Sequence, residues 1–189
     1  YDSRVQRPAI APSWKCVGAA GVMNKRSDPV RILSQPDNFA PQWLHGLRWW
    51  TVSLALVLVD QATKYAVHSG LMREAVVPVT GFFNLVHRWN TGAAFSFLAD
   101  AGGRQRYFLS ALALIVATAL AWMLSSPRPR GEALAYALIL GGALGNAVDR
   151  IVRGYVVDFL DFHWRGWSWP AFNLADVGIC VGAALLVAD

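Results

Sequence analysis

The sequence predicts an all-α membrane protein, a bundle of four transmembrane helices with a small sheet attached at one face. Three observations carry that expectation. Of 189 residues, 55% are hydrophobic and only 15% charged, where a soluble domain carries about 25% charge. The deficit is uneven: charge-poor runs alternate with short basic or Pro-rich stretches, the pattern of spans joined by loops. Nine tryptophans agree, because indole rings favour the membrane–water interface.

Residues 1–46 differ from the rest. They hold five of the nine prolines (Pro8, Pro12, Pro29, Pro36 and Pro41) and scattered charges, with no apolar run long enough for a span or a secretory signal core. They read as a disordered cytoplasmic extension, with Met23 a candidate natural start. A membrane domain is expected over 47–189. Its first span falls at about 49–67, opening WWTVSLALVLVD, and is interrupted near its far end by Asp60 and Lys64. The second, about 107–124, carries no charge; the third, about 133–151, has charge only in its last turn. The fourth, about 173–188, is short against the roughly 20 residues that cross hydrocarbon, which suggests a chain that stops early.

The loop between the second and third spans, SSPRPRGE, carries Arg128 and Arg130, so the positive-inside rule makes it cytoplasmic. Arg48 before the first span agrees, and both termini come out cytoplasmic. Arg104 and Arg106 oppose this orientation and are outweighed. The 68–106 connection is too long for a turn. Its AVVPVTGFFNLVHRW stretch reads as strand and its NTGAAFS stretch as turn, so a small sheet on the outer membrane surface is expected. Residues 155–172, YVVDFLDFHWRGWSWPAF, read as extended in their first half and interfacial in their Trp-rich second half.

Several chemistries are poorly supplied. The net charge of +5 does not imply nucleic acid, because the basic residues flank apolar runs instead of lining one face. Cys16 and Cys180 lie in a tail and an apolar run, which supports neither a disulfide framework nor a metal site. His45, His68, His87 and His163 are dispersed without an HExxH motif, so zinc is not expected. There is no GxSxG and no phosphate loop, and Ser53 is badly phased with Lys64 for a Ser–Lys dyad.

Aspartates remain. On the expected topology Asp60, Lys64, Asn90, Thr91, Asn146, Asp149, Arg150, Asp158, Asp161 and Asp176 all fall on one membrane side. Ionisable groups at membrane depth cost roughly 2.5–3.5 kcal/mol each on insertion scales, so they face the bundle interior and have a task. Some have structural readings: Asp60 and Lys64 are spaced for a helical ion pair, Arg150 can snorkel, Asp176 suits a helix start, and Gly141, Gly142 and Gly145 let helices approach closely. A pair of carboxylates can also hydrolyse an amide, one taking a proton from water while the other, protonated, polarises the carbonyl. Two such groups in contact share a proton, and their titration belongs to the pair. Spacing alone leaves Asp149 and Asp161 as eligible as Asp158 and Asp176. A rival reading is a small transporter or proton-relay subunit using Asp60, Asp149 and Asp176. It predicts polar residues throughout the membrane depth, whereas here they cluster near one face.

Four blocks in order, DQATK (Asp60–Lys64), NTGAAFS (Asn90–Ser96), GNAVDRIVRGYVVDF (Gly145–Phe159) and FNLAD (Phe172–Asp176), resemble lipoprotein signal peptidase, also called signal peptidase II, of the bacterial inner membrane. The resemblance covers about residues 49–188. It implies a four-helix aspartyl endopeptidase with an extracytoplasmic β-cradle, which cleaves the signal peptide of diacylglyceryl-modified prolipoproteins ahead of the lipid-bearing cysteine. It implies Asp158 and Asp176 as the catalytic pair. Asn90, Gly92, Asn146, Asp149, Arg150 and Asn173 would shape the site or contact substrate, with Asp60 and Lys64 in support. No metal or organic cofactor is implied. Partners would be lipid-modified prolipoproteins and membrane lipids, around a monomer whose site lies near the periplasmic face. Two features depart from the family: the 46-residue leader is long, and the basic tail expected after the fourth span is missing.

Overall fold

A computed structural model describes residues 43–92 and 104–188. Most of the expected 1–46 extension and residues 93–96 of the NTGAAFS block lie outside the described residues. In chain order the elements are α1 (Trp43–Gly70), β1 (Val76–Thr80), β2 (Phe83–Asn90), α2 (Gln105–Leu124), α3 (Arg130–Val152), β3 (Val156–Trp164), β4 (Trp167–Ser168) and α4 (Leu174–Ala188).

The helix boundaries follow local chemistry. Pro127 and Pro129 cannot continue α2, and Pro129 caps α3 with extended backbone, ψ 147°. Glu132 in the first turn of α3 and Arg150 in its last complement the macrodipole. Gly154 then takes φ 84°, the left-handed conformation that turns the chain from α3 into β3. Helix α1 extends beyond the expected 49–67 at both ends. An apolar run marks what is buried or lipid-facing, whereas a helix continues wherever its backbone bonds do, and here it runs through Asp60 and Lys64 because both find partners.

The helices run antiparallel in sequence. At one end, Leu120 and Leu124 of α2 pack on Ala133, Tyr136, Ala137 and Leu140 of α3, with Trp49 and Val52 of α1 against them. At the other, the end of α1, the end of α3 and the start of α4 converge. Helix α3 is central, with buried residues from Ala133 to Asp149. Its contact with α4 is nearly backbone to backbone: a Cβ on Gly142 would collide with the Ala175 carbonyl, and one on Gly182 would sit 2.7 Å from the Ala135 carbonyl. Small residues are what permit such an approach.

The outer surface is apolar. Leu54, Leu58 and Val59 of α1 and Phe108 and Ile115 of α2 are each more than half exposed, far more than a water-soluble fold leaves contiguous. Among the described residues, α2 and α3 are long and apolar enough to cross a membrane; α4 is apolar and shorter.

The sheet expected from the 68–106 and 155–172 connections is present, antiparallel, in the order β1-β2-β3-β4. β1 tolerates Pro78 because it is an edge strand. β2 and β3 pair from Phe83↔Phe162 to Asn90↔Val156, with a register shift between Leu85 and Arg88. The two-residue turn into β4 has positive φ at both Arg165 (48°) and Gly166 (85°), which suits the right-handed twist of a tight hairpin.

Gly142→Ala is expected to lower stability by about 1–3 kcal/mol through overpacking, despite the gain in helix propensity. Thermal denaturation in detergent measures this, with Gly81→Ala, where a Cβ meets nothing within 4 Å, as the control.

Candidate active site

The polar residues converge where three helix ends meet the sheet, and the arrangement builds outward from Lys64. This side chain is fully buried, yet all three of its ammonium protons have acceptors: Asp60 Oδ2 at 2.8 Å, Asp149 Oδ2 at 3.0 Å and Asn146 Oδ1 at 2.9 Å. Asp60 and Asp149 are also fully buried. Gly145 makes this possible, since a Cβ there would lie 2.8 Å from Asp60 Oδ2. The other oxygen of Asp60 accepts the backbone N–H of Ala175 at 2.9 Å, satisfying a donor in the first turn of α4.

Asn146 passes this order onward. Its oxygen faces Lys64, which fixes the amide so that Nδ2 donates to Asp176 Oδ1 at 2.8 Å. Asn173 caps α4: its Oδ1 accepts from Asp176 N at 3.0 Å, while its own N–H donates to Asp176 Oδ2 at 3.3 Å. The Nδ2 of Asn173 donates to Asp158 Oδ1 at 2.6 Å. One amide therefore touches both Asp158 and Asp176.

Asp158 lies on β3 and is 3% exposed. Its second oxygen accepts from Asn90 Nδ2 at 3.0 Å, diagonally across the β2–β3 ladder. Asn90 Oδ1 in turn receives the Gly92 N–H at 3.0 Å, and Arg150 Nη2 donates to the Gly92 carbonyl at 2.9 Å. Arg150 Nε is buried without a hydrogen-bond partner. Burial, and then the nearby charge of Asp176, push the Asp158 carboxyl up to about 7, against the opposing pull of Asn90, Asn173 and Lys64.

The ten site residues that the family resemblance implies thus fall into one linked set: Asp60, Lys64, Asn90, Gly92, Asn146, Asp149, Arg150, Asp158, Asn173 and Asp176. Asp161 does not join it. Three residues along the strand from Asp158, it accepts Asn84 Nδ2 at 2.7 Å. Sequence reasoning missed Gln61 and Arg153. Gln61 Nε2 donates to Asp149 Oδ1 at 3.2 Å and to the Gly145 carbonyl at 3.1 Å. Arg153 pairs with Asp149 and donates to Gln61 Oε1 at 3.3 Å. The signal was available, since Asp149 and Arg153 are four apart with the acid first. Also missed was the support beneath β2, where His87 accepts from Trp89 Nε1 at 3.0 Å and Trp89 stacks on Tyr155 with 4.1 Å between centroids.

The fold defines an integral-membrane enzyme. Two solved structures titled as bacterial membrane enzymes superpose with TM-scores of 0.68 and 0.65, at 29% and 28% identity. The first match covers 75% of this chain and 85% of that one, the second 75% and 90%. The particular family follows from sequence. The profile described as Signal peptidase (SPase) II matches residues 52–189, and the chain belongs to that family of aspartic peptidases. A lipoprotein signal peptidase of Serratia marcescens is 53% identical over 139 residues, 74% of this chain and 82% of the relative. One of Cupriavidus necator is 51% identical over 173 residues, 90% of this chain and 95% of the relative.

Two outcomes are expected from this geometry. Lys64→Met leaves the buried Asp60 without a cation and Asp149 with Arg153 alone, and should cost about 3–5 kcal/mol in detergent denaturation, whereas Arg88→Met, at the exposed Glu74 pair, should cost at most about 1 kcal/mol. The Asp158 proton is held more tightly in the folded chain than at the ordinary value of 3.8. This group therefore takes stability away as pH rises from there to about 7. Difference infrared spectroscopy should show a protonated carboxyl band that disappears through about pH 7 and is absent from Asp158→Asn.

Proposed function

We propose that the chain removes signal peptides from diacylglyceryl-modified prolipoproteins, cutting before the lipid-bearing cysteine, with Asp158 and Asp176 as an aspartate dyad. One observation carries the assignment: Asn173 donates its side-chain amide to Asp158 Oδ1 and its backbone N–H to Asp176 Oδ2, so two carboxylates are held against one residue.

In this reading the pair enters the cycle with one proton. The ionised carboxylate takes a proton from water as that water attacks the scissile carbonyl. The protonated partner donates to the developing oxyanion. The first carboxyl then passes the proton it took from water to the leaving amine, while the partner regains its own from the intermediate's hydroxyl as the carbonyl re-forms, so the dyad returns to its starting state. Asn90, Asn146 and Asn173 supply amide donors, leaving each carboxyl oxygen a free lone pair toward substrate. Arg150 and Gly92 shape the wall, and the Asp60–Lys64–Asp149 cluster holds the helix ends that carry Asn146 and Asp176.

Helices α1 and α4 complete a four-span bundle with α2 and α3, within a membrane domain over 47–189. Arg128 and Arg130 face the cytoplasm with both termini, residues 1–46 form a cytoplasmic extension, and the dyad opens near the periplasmic face of the inner membrane. The enzyme acts as a monomer, since one bundle supplies every residue of the site. Outer-leaflet lipid and the substrate's acyl chains bathe the exposed apolar faces of α1 and α2.

Asp158→Asn and Asp176→Asn, isosteric but unable to exchange the proton, should each be folded and lose at least about a thousandfold in cleavage of a diacylglyceryl prolipoprotein. Asp161→Asn should keep most activity. Normal processing by either of the first two variants would sink the dyad assignment, and a dead Asp161→Asn would move it.

A further inference from the structure

The buried charges beside the dyad balance in a way that depends on a residue outside the four sequence blocks' obvious acids and amides. Asp60 and Asp149 each touch Lys64, two negative charges on one positive. That trio alone would leave a net negative charge in a site sealed from water. Arg153, only 20% exposed, closes the account by pairing with the other oxygen of Asp149. Gln61 ties the two ends together, accepting from Arg153 at 3.3 Å and donating to Asp149 at 3.2 Å and Asp60 at 3.3 Å. Asp149 also receives the backbone N–H of Val157 at 3.4 Å, immediately before Asp158.

We propose that Arg153 is a positioning residue for the reaction: with Gln61 it holds Asp149 and completes a neutral quartet, Asp60–Lys64–Asp149–Arg153, that keeps the charge next to Asp158 and Asp176 balanced. The quartet sums to zero, so Arg150 is left to balance a dyad that carries one proton and one negative charge. Among the described residues, several elements bring charged groups near the dyad. Helix α1 brings Asp60 and Lys64, α3 brings Asp149 and Arg150 with Arg153 as its C-cap, α4 brings Asp176, and β3 brings Asp161, which accepts from Asn84. β2 brings Arg88, the register partner of Asp158, which is paired with Glu74. Arg106 of α2 lies close to Gly154 and stacks on Tyr107. Removing Arg153 leaves one uncompensated negative charge at Asp149. That charge disfavours the ionised forms of the dyad, so both limbs of the pH profile move the same way, upward.

This inference rests on the dyad assignment, and its test separates the two. The pH dependence of kcat/KM on a diacylglyceryl prolipoprotein in detergent is measured for wild type, Arg153→Gln, Arg153→Lys and Gln61→Met, with Asp158→Asn alongside. Arg153→Gln should shift the whole bell upward by roughly half to one pH unit. Arg153→Lys should return it to the wild-type position. Gln61→Met, which removes hydrogen bonds without changing charge, should lower the curve in place. A bell that stays put in Arg153→Gln, whatever its height, overturns the proposal, as does an equal shift in Gln61→Met. An active Asp158→Asn overturns the dyad reading instead.

Discussion

Everything at this site depends on one buried ammonium. Lys64 sits inside a helical bundle where an unpaired charge would be costly beyond what folding can supply. It is tolerated because three acceptors meet it from two helices, Asp60 on its own and Asp149 and Asn146 on α3. Asp60 is equally dependent on Lys64, while Asp149 shares it with Arg153. This mutual requirement pins α1 to α3, and the second oxygen of Asp60 pins α4 through Ala175 N. A bundle in lipid has no hydrophobic drive between its helices. Polar bonds of this kind, together with glycine contacts such as Gly142 against Ala175, are what set its register.

From that anchor, order reaches the proposed dyad through amides and not through further charges. Asn146 and Asn173 each have one donor end and one acceptor end, so fixing one end fixes the other. Lys64 orients Asn146, and Asn146 presents its Nδ2 to Asp176. Asn173 links Asp176 to Asp158, and Asn90 approaches Asp158 from the sheet. Neutral donors suit a pair that must exchange protons, because each steadies a carboxylate without pinning it permanently in the ionised state as an adjacent cation would. The upward shift of Asp158 to about 7 accords with this: desolvation outweighs the two amide bonds.

Much of this was legible in the linear chain. Spans were visible because lipid-facing and core residues are both apolar, and α2 reads YFLSALALIVATALAWML without a charge. The sheet was visible in alternation and turn residues, since a strand's side-chain period of two survives in any context. Less legible were the boundaries of α1, which runs to Gly70 and not to about residue 67, because a polar residue that ends an apolar run does not end a helix. Gln61 and Arg153 were passed over for a related reason. A glutamine beside an aspartate and an arginine near a helix end look like ordinary surface residues until the fold brings Asp149 to both.

The sequence by itself determined the class of the protein. Its hydropathy and its four motif blocks are properties of composition and order, and they need no coordinates. Which acids meet was a different matter. Asp149, Asp158, Asp161 and Asp176 had equal standing by spacing; the family resemblance singled out Asp158 and Asp176, and only the three-dimensional arrangement says what each acid touches. Asp149 turns to Lys64 and Arg153, Asp161 pairs with Asn84 on the sheet, and Asp158 and Asp176 are left holding the same asparagine. The reason is physical: a carboxylate's role depends on how much water it keeps and which charges it faces, and both are set by neighbours distant along the chain.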